Sequence, residues 1–265
     1  MSKTQKELVF LQDLYISKDW TERFTTSVNT HFKLPKKGKF LYVNIGTANH
    51  ALELIEKMDR TAEIIGVSDN DEIEKIAKAK VELMKANINF KNLDKLESES
   101  FDAALADLSF VKSKDIANLL DEITFLTKKK GKIAFFLPTA GSYGDIFSFL
   151  WETFLGVELI ERSGEIERLI SEIPPVSDVE EIAQNVGLKN IETHTSIEIF
   201  EYDTGEEFTT SSLIKDFFLP NWLDFLSDKE RKKAVKKLGQ LIDVERGHLT
   251  FRFLVKATLI IGEKG

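Results

Sequence analysis

Apolar residues recur through the first thirty positions at helical spacing. Leu8, Leu11, Leu14 and Tyr15 share one side, and Trp20, Phe24 and Val28 continue it every four residues. This predicts one or two helices over residues 4–32, ended by Pro35 and Gly38. The period then changes. Residues 40–45 form a compact aromatic and β-branched run, which suits a strand buried on both faces. Similar short runs recur at 63–67, 87–91, 101–105 and 132–137. Between them lie helical patterns at 51–58, 71–86 and 116–127; in the second, Ile73, Ile76, Ala77 and Val81 share a face. Residues 128–131 read as a turn. Strands alternating with helices predict a mostly parallel, doubly wound α/β sheet with helices on both faces.

Beyond Pro138 the pattern is helical and aromatic. Residues 145–172 carry Phe147, Phe149, Trp151 and Phe154, and Pro174–Pro175 ends them. Ser177 and Glu180 have the spacing of an N-terminal capping box, and Gly187 suits the end of that helix. Residues 191–202 alternate in the manner of an edge strand. Residues 209–243 are helical again, broken at Pro220, and 249–261 form a long last strand. The expected organisation is a helical segment over residues 1–38, then one domain over 39–265 with helical insertions at about 139–176 and 205–247.

Composition narrows the chemistry. The chain has 265 residues, 42% hydrophobic and 30% charged, an ordinary globular balance. It has no cysteine, which excludes disulfides, thiolate metal sites and iron–sulfur clusters. Its histidines, His31, His50, His194 and His248, share no ligand spacing, so no metal is expected. A net charge of −8 argues against nucleic-acid binding, which depends on neutralising phosphates. No apolar run approaches the roughly 18 residues of a membrane span. Lys3, Lys6 and Glu7 lead into an amphipathic pattern unlike a signal peptide, and a cytoplasmic location is expected.

One stretch carries the candidate chemistry: Lys37-Gly38-Lys39-Phe40-Leu41-Tyr42-Val43-Asn44-Ile45-Gly46-Thr47-Ala48-Asn49-His50. It resembles the first motif of class I S-adenosylmethionine-dependent methyltransferases, a buried strand ending in an acid and followed by Gly-x-Gly-x-Gly. The resemblance continues in order. Ile64-Ile65-Gly66-Val67-Ser68-Asp69 resembles the second strand, whose last acid binds the ribose. Phe90-Lys91-Asn92-Leu93 resembles the adenine-contact turn, and the stretch from Phe101 to Leu108 resembles the fourth strand, with Asp107 near its end. Residues 179–190 resemble the late helix that leads into an antiparallel strand. The resemblance spans most of the chain and implies a Rossmann-like sheet, mostly parallel with an antiparallel last strand. It implies S-adenosylmethionine as the cofactor. The positions it assigns to binding are Asn44, Gly46, Ala48, Asn49, Ser68, Asp69, Asn92, Leu93 and Asp107.

Several of these depart from the family pattern. Gly46 is the one motif glycine retained; Ala48 and His50 stand at the other two. Asn44, Ser68 and Asn92 are neutral where acids are usual, although Asp69 follows Ser68 directly. Hydrogen bonds to charged acceptors exceed those to neutral ones by roughly 1 kcal/mol each. Two readings therefore stand. In one, the chain keeps the fold with a degraded site and is an accessory or binding subunit of a larger assembly, of the kind recruited by energy-transducing membrane complexes. In the other, it is an active methyltransferase for a small molecule, with residues 138–175 and 203–247 shaping the substrate pocket. A dehydrogenase reading is weaker, because the turn lacks Gly-x-Gly-x-x-Gly. No catalytic residue is assigned. Tyr143, Asp145 and His194 fall where the family places substrate contacts, and each reads more simply as structural.

Two surface features suggest partners. Lys229, Arg231, Lys232, Lys233, Lys236 and Lys237 make residues 229–237 a basic helix face in an acidic chain. Its simplest reading is a solvated face; the sharper one is a patch for an acidic protein or a lipid headgroup surface, hence peripheral membrane association. Phe217, Phe218, Leu219, Trp222, Phe225 and Leu226 are dense for one short segment and suggest either a lid or a protein contact.

Overall fold

The N-terminal stripe is buried in its second half only, and Leu14 and Tyr15, expected on the same side, are exposed. In the computed structural model, which describes residues 4–68, 70–247 and 249–265, α1 (Gln5–Leu11) starts at a reciprocal capping box between Thr4 and Glu7. The chain continues through a wider, π-helical run (Gln12–Thr21) into α2 (Glu22–His31). Ile16, Trp20, Phe24 and Val28 are all buried. Trp20 tilts on Phe24 at 5.0 Å, and Phe24 stacks on Phe136 at 5.6 Å.

The alternating segment follows as β1 (Lys39–Val43), α3 (Asn49–Glu56), β2 (Glu63–Val67), α4 (Asp71–Met84), β3 (Ile88–Phe90), β4 (Phe101–Asp107), α5 (Ser113–Leu126) and β5 (Thr127–Thr139). Next come α6 (Gly144–Gly156), α7 (Gly164–Ser171), α8 (Val176–Asn185), β6 (Leu188–Tyr202), α9 (Gly205–Thr210), α10 (Leu219–Trp222), α11 (Asp228–Arg246) and β7 (Phe251–Lys264). The sheet order is β3-β2-β1-β4-β5-β7-β6. The β1–β2, β2–β3, β1–β4 and β4–β5 pairs are parallel. β7 runs antiparallel to β6: Thr195 faces Thr258, and the Gly265 N–H donates to the Gly187 carbonyl. Strand order reverses between β1 and β4, which opens a crevice beyond their carboxyl ends.

Two compact units result. One comprises Met1–Leu137, Pro175–Ser196 and Ala257–Gly265; the other, Pro138–Pro174 and Ile197–Lys256. The N-terminal helices thus belong to the unit that holds the parallel strands. In that unit, Leu41, Val43, Ile65, Ala104, Ala106, Ile133 and Phe135 of the strands pack on Ile116, Leu120 and Ile123 of α5 and on Val179 and Ala183 of α8. In the other unit the core is aromatic. Phe208 meets Phe251 edge-on at 5.0 Å, and Phe200 stacks on Phe253 at 4.9 Å.

The structure corrects three local expectations. Residues 128–131 are not a free turn: β5 already begins at Thr127, and its register against β4 shifts between Phe101 and Ala103, a bulge that absorbs the left-handed Lys130. The capping box at Ser177 is absent. α8 starts two residues earlier, behind Pro175; Ser177 turns to Asp178, and Glu180 accepts the Thr193 hydroxyl at 2.5 Å. Pro220 does not break its helix either. It sits in the first turn of α10, where its missing N–H is not needed. The break comes after Trp222, and Ser227 opens α11 with a capping box to Glu230.

Candidate functional site

The crevice between β1 and β4 is shaped by a tight strand-to-helix turn. Asn44, Gly46 and Ala48 all have positive φ, at 55°, 57° and 65°. For Ala48 the left-handed conformation costs roughly 1–2 kcal/mol, which the surrounding packing must offset. A Cβ on Gly46 would meet nothing within 4 Å, so glycine is required there for its backbone angle and its open side faces the crevice. The turn is tied to the strand ends. Ile45 donates to the Val67 carbonyl at 3.1 Å, and the Asn44 amide donates to the Asp107 carbonyl at 2.8 Å.

His50, at a motif glycine position, lines the cavity and is held in a hydrogen-bonded chain, with Tyr42 Oη 2.9 Å from Nδ1 and Asn29 Oδ1 3.3 Å from Nε2. The Asn29 oxygen can only accept, so Nε2 carries the proton and Nδ1 accepts from the Tyr42 hydroxyl. Burial, with the charge of Lys57 as a lesser cause, lowers the His50 pKa to about 3. The ring is neutral and structural.

The cavity beside this turn measures about 150 Å³. Of the positions the resemblance assigned, Asn44, Gly46, Asn49, Ser68 and Asp107 line it. Ser68 is occupied locally, its hydroxyl accepting from the Asn70 N–H and donating to the Asn70 carbonyl, each at 3.2 Å. Ala48 is buried at the start of α3. Asn92 is exposed as the cap of a short turn, Leu93 packs on the core, and neither lines the cavity. Asp69 lies outside the described residues. Asp107 is the acid of the site. Burial raises its pKa to about 6, against the opposing pull of hydrogen bonds from Ser109, whose N–H lies 2.9 Å from Oδ1.

The rest of the lining comes from residues that sequence reasoning did not assign to the site. Gln12, Ile16, Ser17 and Thr21 of the π-helical run face the cavity, as does Phe110. A polar staple fastens that run to the turn. Thr47 donates to Asp13 at 2.5 Å and Asn49 donates to Ser17 at 2.6 Å. Lys80 of α4 pairs with Asp13 and donates to Asn49 Oδ1 at 2.6 Å. Trp20 adds an anchor, its indole N–H on the Ser109 hydroxyl at 3.0 Å and its ring 5.7 Å from Phe110. The only trace of this in the sequence is the helical stripe; Asp13 and Ser17 look like ordinary solvated polar residues.

The other residues considered have settled surroundings. His194 stacks on His31 with ring centroids 3.7 Å apart. Tyr143 is buried against Phe218 and Trp222. Phe218, Leu219, Trp222 and Leu226 are likewise buried, so most of the aromatic segment is core of its own unit.

Residues 41–135, from β1 into β5, match the family model described as a methyltransferase domain. The fold is that of the class I methyltransferases. Solved structures agree on the architecture at low identity. The YcgJ protein of Bacillus subtilis matches with a TM-score of 0.58 and 14% identity, over 92% of this chain and 98% of its own. A phosphoethanolamine N-methyltransferase of Haemonchus contortus, in complex with S-adenosyl-L-methionine, matches with a TM-score of 0.58 and 15% identity, over 98% of this chain and 57% of its own. Geranyl diphosphate C-methyltransferase of Streptomyces coelicolor matches with a TM-score of 0.50 and 9% identity, over 92% and 80%. No curated protein matches the chain. Among the described residues of this methyltransferase fold, no helix is long and apolar enough to cross a membrane.

Proposed function

We propose that this methyltransferase-fold chain acts by binding, as a non-catalytic subunit of a larger assembly, and that its adenosyl slot is retired from cofactor use. The polar staple carries this reading. The side chains of Thr47 and Asn49, which flank the ligand side of the turn, are committed to Asp13, Ser17 and Lys80. The space left, about 150 Å³, is well below the roughly 300 Å³ at which small-molecule sites begin. Among the described residues, the neutral side chains that remain fit an adenosyl cofactor poorly. Asn44 spends its amide on the Asp107 carbonyl, Ser68 bonds to Asn70, and Asn92 is outside the cavity. Three missing acceptor charges amount to roughly 3 kcal/mol, about a hundredfold in affinity.

Retained methyl transfer is favoured by one observation: Gly46 keeps an open side toward the cavity, and the half-buried Asp107 carboxylate faces the same space. Mass spectrometry of small molecules released from freshly purified protein separates the two readings. The binding reading expects no adenosyl compound. A stoichiometric S-adenosylmethionine or S-adenosylhomocysteine would overturn it.

A further inference from the structure

A concavity in the second unit lies between α9, the 213–222 segment and α11. It encloses about 670 Å³, within the size range of small-molecule sites. Its floor is fixed by a close backbone approach: a Cβ on Gly205 would fall 2.0 Å from the Gly239 carbonyl oxygen, so α9 and α11 touch main chain to main chain. Beside this contact, the Asp243 carboxylate accepts the Gly205 N–H at 2.7 Å. Leu219, Pro220 and Val235 supply an apolar wall.

The charge of this lining opposes that of the chain. Lys215, Arg231, Lys232 and Lys236 contribute four cations against the carboxylates of Glu206 and Asp243, which leaves +2 in a chain of −8. Arg231 is occupied by the Leu223 and Leu226 carbonyls. Lys233, on the same helix but outside the concavity, donates to the Val157 carbonyl at 3.0 Å. The side-chain ammonium groups of Lys215, Lys232 and Lys236 have no hydrogen-bond or ion-pair partner among the described residues. Lys232 and Lys236 stand four apart on α11, so their charges repel across one helix face. Unpaired cations around an apolar wall match one chemistry, a negative head on a short carbon body.

The geometry points to this concavity as a binding site for a small amphipathic anion. Its phosphate or carboxylate head sits at Lys232 and Lys236, and its carbon body lies against Leu219, Pro220 and Val235. A free organic phosphate and the headgroup of an anionic lipid offer the same chemistry. The site stands independently of the adenosyl slot. Calorimetric titration of the full chain with phenyl phosphate, inorganic phosphate and phenol tests it. Sedimentation with phosphatidylglycerol or phosphatidylcholine vesicles tests the lipid source. The control is the double variant Lys232→Ala/Lys236→Ala, whose side chains are exposed. Phenyl phosphate should saturate the wild type at least tenfold more tightly than inorganic phosphate or phenol, and weaken at least tenfold in the double variant. Selective loss of phosphatidylglycerol binding in that variant assigns the head to a lipid and supports the site equally. Absence of saturable binding by either source, or binding unchanged in the double variant, overturns the proposal.

Discussion

Two cavities of this chain are opposites. The slot beside Gly46 is small, about 150 Å³, and its polar groups are paired by side chains from distant parts of the sequence. The concavity under α11 is about 670 Å³, and the side chains of three of its four cations have no partner among the described residues. In the first, a lysine is structural: Lys80 holds Asp13 and Asn49 together. In the second, lysines hold nothing in place. On the two proposals made for these cavities, the position that a fold reserves for its cofactor is not where this sequence keeps its free binding capacity.

The contrast breaks most visibly at Trp20. The residue is fully buried, and its truncation removes contacts to Phe24 and Phe110 and the bond to Ser109. Trp20→Ala should lower unfolding free energy by roughly 3–5 kcal/mol in urea denaturation. A loss below about 1 kcal/mol would mean that the N-terminal helices are not part of the unit.

Asp107 comes next. Its folded pKa of about 6 lies above the ordinary 3.8, so the native state binds the proton more tightly than the unfolded chain. The stabilisation is complete below about pH 4 and is lost as pH rises through about 6. At pH 7.5, Asp107→Asn should therefore be the more stable protein by up to roughly 3 kcal/mol, with the gap closing toward pH 4. A pH-independent difference would show that burial does not govern this carboxyl. His50 acts in the other direction. Its depressed pKa makes the native state resist protonation, so stability falls as pH drops from about 6.5 toward 3.

Smaller effects sharpen the comparison between the lysines. Lys80→Met should cost about 1–2 kcal/mol, because it leaves the partly buried Asp13 without its cation. Lys232→Ala/Lys236→Ala should change stability by less than about 0.5 kcal/mol. Equal losses from both would remove the distinction between a structural and a free cation.

Much of this fold is legible in the sequence, because burial on both faces leaves short apolar runs. Residues 40–43, 64–67 and 133–137 could hardly be anything but central strands, and the alternation along β6 reports its place at the sheet edge. Trp20, Phe24 and Val28 announced a buried helix face. The site was legible only in part. Asn44, Gly46, Asn49, Ser68 and Asp107 do converge on one cavity, since each follows a strand end or opens a helix. The staple did not show, because Asp13, Thr47, Asn49 and Lys80 meet across 31 to 67 residues of sequence and none belongs to a periodic pattern. The hydrogen-bonded chain around His50 was hidden for the same reason: its partners Tyr42 and Asn29 sit on other elements. Pro220 was given the wrong weight because a proline disrupts a helix interior and suits a first turn, and only the structure says which applies.

Calorimetric titration of the intact chain with S-adenosylhomocysteine tests the central claim most directly. A slot this narrow, with its anchors neutral or already bonded, should give a dissociation constant weaker than about 100 μM, near −5.5 kcal/mol. Saturable binding tighter than that would contradict the account and return the chain to the working methyltransferases.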